Sequence, residues 1–467
     1  MAYIEYKDSG QNWLKAIPSS WNVKRLKSLF SFGKGLPITK ADLVSEGIPV
    51  ISYGQVHAKY NSGIGLSEQL YRYVPEKNIK TNQQSMVHQF DFIVADTSED
   101  KTGCGNCVYV DAELPLFAGY HSIILRSREH QDNKYLAYLF LTDAWRSQIR
   151  SRVDGVKLFS ISKTILNNVN VIIPPRSEQD QIVRYLDWQV ARINKLIHGY
   201  QKQIKLLEEE LSTISSRAAI RGIREDVEYN NPHIIGFDKI PSQWKVLQNK
   251  RIFRERSDFS EKGDEILLSV SKHYGVKPMH ELTEDEQYAT IKPAETLVGY
   301  KKVSKGDLVM NIMRARNGSY GISDYDGIVS PAYCVYKTII PVDSRYMQYL
   351  LKTPQTISIF EAYSYGIAEH RRRLYAPDFL RLYLPVPPYN EQVKIADFLD
   401  KKSEQIDFLT TKIKVQINLL REYRTRLISD VVTGQMDVRG IEIPDYTPEQ
   451  DIEESGTEEG AVTNDAQ

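Results

Sequence analysis

"VIIPPRSEQDQIVRYLD" runs from Val171 to Asp187, and "LPVPPYNEQVKIADFLD" runs from Leu384 to Asp400. Seven of these seventeen positions are identical without a gap, at a constant offset of 213 residues. Chance composition does not produce such a match, so the chain contains a duplicated element.

The duplication includes a second segment. "YKDSGQNWLKAIPSSWNV" from Tyr6 and "YNNPHIIGFDKIPSQWKV" from Tyr229 share tyrosine, Ile-Pro-Ser, tryptophan and valine at an offset of 223 residues. Each half therefore has an opening segment, a variable interior of about 150 residues and a closing segment. This period is too long for a solenoid and indicates duplicated domains.

The closing segments predict the starts of two helices. A Pro-Pro pair ends the preceding strand in each copy, and Ser177 and Asn390 follow as residues of the N-cap type. Glu178 and Glu391 then place a carboxylate in the first turn, where the helix dipole favours negative charge.

Apolar residues in both predicted helices alternate by three and four positions, as in a coiled-coil seam. A pair of amphipathic helices, each lying on its own domain, is the alternative, but the seam of about 50 Å is longer than one domain face requires. Tandem halves related by an approximate twofold axis would make the pair antiparallel. The predicted seam and spacer residues are Leu186, Ile193, Ile204, Leu207 and Leu211 in the first helix, and Leu399, Ile406, Ile413, Leu420 and Leu427 in the second.

The expected fold class is α+β, with two tandem mixed α/β domains separated by two long helices that form an antiparallel coiled coil in a pseudo-twofold repeat. The predicted segments are a first domain at 1–175, a first helix at 176–222, a second domain at 223–388, a second helix at 389–440 and an acidic disordered tail at 441–467.

Composition places the chain among soluble globular proteins. It has 467 residues, of which 41% are hydrophobic and 26% charged. No apolar run has the length of a signal h-region or a membrane span, so we expect a cytoplasmic protein without a membrane partner. The three cysteines predict no disulfide framework, and one C-x-x-C at Cys104 and Cys107 with a solitary Cys334 predicts no metal site.

The net charge of zero conceals an uneven distribution. Nine of the 60 acidic residues follow Arg439, where no Lys or Arg occurs, so the preceding body carries a net charge of about +9. Such a surplus is compatible with a polyanionic partner but does not establish one.

Basic and polar side chains in the interiors are candidates for contact with DNA. Arginine forks match phosphates and guanine edges, and asparagine matches adenine, although a solvated charged loop is an equal alternative for each segment. The candidates are Lys101, Lys157 and Lys163 in the first half, and Arg314, Arg316, Asn317, Tyr320, His370, Arg371, Arg372 and Arg373 in the second.

Catalytic motifs are absent from the sequence. It contains no Walker A motif, no His-Glu-x-x-His and no nucleophile elbow. Asp91 with Glu99 and Lys101 gives a faint outline of a nuclease site. "VPPYN" resembles part of an adenine methyltransferase motif, but Val386 replaces the Asp or Asn that would hold the exocyclic amine.

The repeated opening, the paired Pro-Pro-x-x-Glu-Gln helices and the variable interiors together resemble the specificity subunit of type I restriction-modification enzymes, over nearly the whole chain up to about Gly440. The resemblance implies a non-catalytic chain with two target recognition domains, each for one half of a split double-stranded DNA site. The helices would set the spacing and dock two modification subunits, which bind S-adenosylmethionine and methylate adenine. Two restriction subunits that use ATP and magnesium would join them, and the chain itself would hold no cofactor.

Two alternatives remain open. The chain could be a coiled-coil adaptor without DNA recognition, or a metal-dependent nuclease that uses Asp91 and Glu99. Co-purification of a methyltransferase subunit would favour the specificity subunit, whereas metal-dependent cleavage by the chain alone would favour the nuclease.

Overall fold

The computed structural model describes residues 2–128, 133–283, 296–366 and 372–444. Its contacts divide the chain into two compact units: the first comprises Met1–Tyr200 and Val415–Gln467, and the second comprises Gln201–Lys414. Each unit therefore contains one variable interior and part of both long helices. No described helix combines the length and apolarity needed to cross a membrane.

The first long helix spans Arg176–Arg221 and the second spans Tyr389–Val432. Ser177 and Asn390 lie within the first turns, so the prediction that they are N-caps is wrong. Backbone N–H groups of the first turn donate instead to the carbonyls of Pro175 and Pro388.

The repeated glutamine of the closing segment has a structural function at each helix start. The Gln179 side-chain amide donates to the Pro174 carbonyl at 2.8 Å, and that of Gln392 donates to the Pro387 carbonyl at 2.9 Å. Each glutamine thus fastens the first turn of its helix to the proline that ends the preceding strand.

The second helix is shorter than predicted, ending at Val432 rather than continuing to residue 440. Gly434 has a φ of 74°, which favours glycine, and a Cβ there would meet Pro18 at 2.4 Å. The chain after Gly434 packs against the first long helix, where the Gln181 side-chain amide donates to the carbonyls of Val438 (3.0 Å) and Ile441 (2.8 Å).

The helices run antiparallel within each unit. In the first unit, Arg424 donates to the Asn194 side chain at 2.5 Å, and Gln181 reaches the chain beyond the end of the second helix. In the second unit, Ala218 at the end of the first helix shares a buried core with Leu399 near the start of the second.

The seam side chains point inward in both helices, as the heptad pattern predicts. Leu186, Ile193, Leu399, Ile406, Ile413 and Leu427 are buried, and Ile204, Leu207, Leu211 and Leu420 are partly buried. The predicted coiled coil and α+β class are confirmed.

The first unit contains two four-stranded sheets. One has the strand order Cys107–Tyr109, Phe92–Ala95, Ser122–Ser127, Phe30–Lys34, and the other Arg72–Val74, Ile48–Ile51, Leu116–Ala118, Met86–Val87. Two-stranded pairs are Tyr6–Gln11 with Leu14–Pro18, Asn22–Arg25 with Asn170–Ile173, and Thr97–Ser98 with Phe159–Ser160. Its short helices are Leu26–Leu29, Tyr53–Val56, Lys77–Thr81, Lys134–Phe140, Asp143–Arg150 and Lys163–Asn167, with 3-10 turns at Lys40–Asp42, Glu68–Leu70 and Gln83–Ser85.

The second unit repeats the first of these sheets. Its four-stranded sheet has the order Phe253–Glu255, Tyr333–Thr338, Leu308–Asn311, Tyr320–Ile322. Two-stranded pairs are Tyr229–Asn230 with Ile240–Pro241, Lys245–Gln248 with Tyr383–Val386, Leu268–Ser271 with Gly275–Pro278, and Lys301–Val303 with Gly327–Val329. Its short helices are Ser344–Leu351, Pro354–Ala362 and Ala376–Arg381, with 3-10 turns at Asn249–Arg251, Met279–Glu281 and Ala315–Asn317.

The opening and closing segments repeat together because they are strand partners. Asn22–Arg25 pairs antiparallel with Asn170–Ile173, and Lys245–Gln248 pairs in the same way with Tyr383–Val386. In the first unit, the Trp21 indole N–H also donates to Glu178 at 3.0 Å. These pairings bring the two ends of each variable interior together at the start of a long helix.

A third repeated element joins each interior to its helix. The Tyr138 hydroxyl donates to Asp187 at 2.7 Å, and the Tyr349 hydroxyl donates to Asp400 at 2.9 Å. A cation accompanies each pair, because Lys134 lies 2.9 Å from Asp187 and Arg345 lies 2.7 Å from Asp400. The aspartate that ends each quoted closing segment is thus an anchor for its domain.

Candidate nucleic-acid interface

The three lysines predicted in the first half have different environments. Lys101 and Lys157 are exposed. Lys163 is half-buried, and its ammonium donates to the Phe32 carbonyl at 2.8 Å, while burial lowers its pKa. Lys163 therefore secures a strand, and Lys101 and Lys157 remain candidates for contact with DNA.

The predicted turn in the second half is partly exposed. Arg314 and Asn317 face solvent, whereas Arg316 is largely buried and lies 4.0 Å from Glu361. Tyr320 is fully buried, and its hydroxyl donates to the Leu351 carbonyl at 2.7 Å. Tyr320 is a core residue that cannot reach DNA, so its assignment to the interface is corrected.

The predicted basic cluster is also divided. His370 and Arg371 lie outside the described residues. Arg372 donates to the backbone carbonyls of Ser364 (3.0 Å) and Glu361 (3.1 Å), which fixes the local chain. Arg373 is exposed and keeps its place among the candidates.

Aromatic side chains gather at one edge of the first unit, in a group we call the first edge cluster (Tyr53, His57, Asp96, Tyr120 and His121). Ring centroids lie 5.7 Å apart for Tyr53 and Tyr120, and 5.5 Å apart for Tyr53 and His121. His121 Nδ1 lies 3.3 Å from an Asp96 carboxylate oxygen. The cluster combines stacking surfaces with hydrogen-bonding groups, the two properties needed to contact bases.

The two histidines of this cluster are held differently. His57 is fixed on both ring nitrogens, since the Asn106 amide lies 3.1 Å from Nδ1 and the Thr97 carbonyl lies 2.9 Å from Nε2. The His121 side chain is 59% exposed, and its backbone φ of 54° is uncommon for a residue other than glycine. Such conformations occur preferentially at functional sites, so His121 is the leading candidate in this unit.

The second edge cluster consists of Tyr274, Lys277, Arg314, Asn317 and Tyr333. The Lys277 ammonium lies 5.4 Å from the Tyr274 ring centroid. Burial raises the pKa of the Tyr333 hydroxyl, and the nearby Arg314 charge opposes that rise. The cluster is cationic, whereas the first is built from histidines, tyrosines and a carboxylate.

Both clusters lie at equivalent edges of equivalent sheets. Asp96 follows the strand Phe92–Ala95, and His121 precedes its partner strand Ser122–Ser127. Arg314 follows Leu308–Asn311, and Tyr333 begins the partner strand Tyr333–Thr338. Equivalent positions with different side chains are what two domains need in order to recognise different sequences.

Sequence reasoning missed most of the edge residues. Tyr53, Tyr120, His121, Tyr274 and Tyr333 carry no motif, and only their positions beside apolar strands such as "PVIS" and "SIILR" mark them. The fold brings these strand ends together, and the spacing along the chain does not show it.

Asp91 and Cys107, two side chains of types that take part in catalysis, are both buried. Among the described residues, no group of three His, Cys, Asp or Glu side chains could hold a metal ion. Asp91 is buried beside Arg126, with an Arg126 Nε to carboxylate distance of 3.1 Å, and accepts from the His88 backbone N–H. Burial raises the pKa of the Cys107 thiol to about 11, so this cysteine is not a thiolate.

Comparison with known proteins adds a family relationship. The type I restriction modification DNA specificity domain matches residues 18–206 and 241–419. A curated relative, the type I restriction enzyme MjaVIII specificity subunit of Methanocaldococcus jannaschii, is 22% identical over 91% of this chain and 95% of its own length. The EcoKI specificity subunit of Escherichia coli K12 is 19% identical over 86% of this chain and 85% of its own. A chain from a solved assembly of a type I R-M system has a TM-score of 0.61 at 13% identity, covering 90% of this chain and 99% of that one.

Proposed function

Because this chain belongs to the type I restriction-modification DNA specificity family, we propose that each unit recognises one half of a bipartite, asymmetric site in double-stranded DNA. The observation that carries the proposal is the pair of edge clusters, which occupy equivalent positions but present different chemistry. The repeated sheets and helices give both units the same support for a recognition surface. The different side chains of the two edge clusters give each unit its own sequence specificity.

The second edge cluster suits a half-site that contains guanine. Arg314 is exposed, as is Asn317 in the same turn. The guanidinium of arginine pairs with O6 and N7 of guanine, and the amide of asparagine pairs with adenine. The first edge cluster has no arginine or lysine, and its exposed His121 with Asp96 favours contacts to base edges with both donors and acceptors.

The long helices are proposed to dock two modification subunits. In the first unit, Val415, Leu419 and Tyr423 lie four residues apart on one helix face and are each about half exposed. In the second unit, Leu206, Phe408 and Leu409 are similarly exposed. Exposed apolar groups on helices in both units are suited to two copies of one partner.

In this proposal the chain is the non-catalytic member of its complex. The modification subunits would supply S-adenosylmethionine and the pocket that receives a flipped adenine. Two restriction subunits would supply ATP- and magnesium-dependent translocation and cleavage of unmodified DNA. The specificity chain would hold the DNA in register for both.

The adaptor hypothesis explains the helices but not the two edge clusters. It predicts co-purification of a partner without sequence-selective DNA binding. The nuclease hypothesis is weakened because Asp91 is buried and paired with Arg126. Cleavage of DNA by the purified chain with a divalent metal alone would revive it.

Replacing Arg314 with alanine should weaken recognition of one half-site only. The variant complex should bind the cognate duplex more weakly by about 1 to 3 kcal/mol, because one bidentate contact between arginine and guanine is lost. The measurement is the affinity of the assembled complex for a panel of duplexes with single changes across the site.

Arg251→Ala is the matched control for this experiment. Arg251 is exposed and precedes Phe253, which pairs with Thr338 at the far end of the strand that begins with Tyr333. The control should leave both half-sites unaffected. Arg314→Ala could instead weaken binding to every duplex equally and make the affinity less dependent on salt concentration. That result would show that Arg314 contacts a phosphate and not a base.

A further inference from the structure

A cavity of about 440 Å³ in the first unit borders the first edge cluster, because Asn106 lines the cavity and also contacts His57. Its wall is formed by the loop from Ala58 to Ile64, the helix Asp143–Arg150 and residues of both long helices. The volume is within the range of small-molecule sites in proteins.

The lining of this cavity is basic. Lys59, Arg146 and Arg424 contribute to it, and none of its lining residues is acidic. Three positive charges around one small volume, without a negative charge among them, attract an anion.

Among the described residues, neither arginine is in direct contact with a carboxylate, although the nearby Asp143 charge favours the protonated form of Arg146. Arg146 Nε donates to the Phe140 carbonyl at 2.7 Å, and Arg424 donates to the neutral side chain of Asn194 at 2.5 Å. Within the described part of the chain, no Asp or Glu oxygen lies within 4.0 Å of either guanidinium. Burial lowers the pKa of both groups, which is the signature of a desolvated charge.

A desolvated charge that has no opposite charge in contact with it is costly in a folded protein. Each guanidinium uses one N–H in the bonds described above and retains further donors in a planar fork, the geometry that matches a tetrahedral oxyanion. A bound phosphate would lie among positive charges from the loop, the short helix and the second long helix.

We propose that this cavity is a binding site for a small phosphate-bearing anion, either inorganic phosphate or the phosphoryl group of a small metabolite. The anion joins the loop of the first domain to the long helix through Lys59, Arg146 and Arg424. Its binding therefore stabilises the first domain on its support. None of the three cations belongs to an edge cluster, so the anion site does not rest on the proposed DNA function.

Isothermal titration calorimetry on the full-length chain, at constant ionic strength in chloride, tests the site. Inorganic phosphate and pyrophosphate are the probes, with acetate as a monovalent comparison. We expect saturable binding of one phosphate probe per chain, and at least a tenfold weaker affinity in Arg424→Gln, which corresponds to about 1.4 kcal/mol. Arg146→Gln provides the same test if the first variant does not fold.

Arg184→Gln is the matched control, since Arg184 is exposed on the first long helix and the substitution removes the same charge. It should bind the probes as the parent does. The proposal is overturned if neither phosphate probe binds the parent, or if Arg184→Gln weakens binding as much as Arg424→Gln. It is also overturned if duplex DNA competes with the probe and Arg424→Gln weakens DNA binding by the same factor, because the cavity would then hold the DNA backbone.

Discussion

Leu399→Asp should unfold the core of the second unit and leave the first unit folded. Leu399 is fully buried in a core that includes Ala219, Trp244 and Tyr346. Loss of the apolar side chain and burial of a carboxylate together cost about 4 kcal/mol or more, a large part of the 5 to 15 kcal/mol that stabilises a typical domain.

Leu186→Asp is the reciprocal variant, because Leu186 is the fully buried equivalent in the first unit. Differential scanning calorimetry should show that each variant loses stability. Limited proteolysis should show cleavage in the second unit for Leu399→Asp and in the first unit for Leu186→Asp. Leu409→Asp, at a side chain 45% exposed, should change stability by less than about 0.5 kcal/mol. If both buried variants melt like the parent, the seam is not the core described above.

Lengthening both helices should lengthen the gap between the half-sites. One heptad inserted after Gln203 and after Gln416 keeps the seam in register and adds about 10 Å. At about 3.4 Å per base pair, this corresponds to roughly three additional unspecified positions. Both insertion points follow exposed glutamines, and a heptad that repeats the apolar pattern keeps the buried Ile417 on the seam.

Three base pairs also rotate the second half-site by about 100° around the duplex, which could abolish activity. Inserting three heptads at the same points adds roughly 32 Å, which is close to one full turn of DNA. The second half-site then returns nearly to its original orientation around the duplex. Sequencing of methylated adenines gives the gap of each active variant. An unchanged gap in an active variant would show that the helices do not set the spacing.

The sequence predicted the architecture because its repeated segments have strict physical requirements. The heptad alternation of Leu186, Ile193, Leu399 and Ile406 requires a buried seam, and the structure contains it. The end of the second helix was missed because Gly434 acts through its positive φ and its close approach to Pro18, a tertiary contact.

The edges of the domains were less predictable because exposure depends on how strands are arranged in space. Tyr320 follows a polar loop, but its strand turns it into the core. His121 follows a short apolar strand, yet it faces solvent beside Asp96. The sequence shows which residues are charged, whereas strand pairing decides which of them reach the surface together.

If the two domains are separable, each should recognise one half of the site on its own. Residues 240–386 form a natural unit of exchange, because the strands Lys245–Gln248 and Tyr383–Val386 pair and close the second interior. Replacing this segment with the equivalent segment of a relative, then mapping methylated adenines across the host genome, tests this separability directly. One half of the methylated motif should change, while the other half and the gap should stay the same. A motif that changes in both halves would contradict separate recognition.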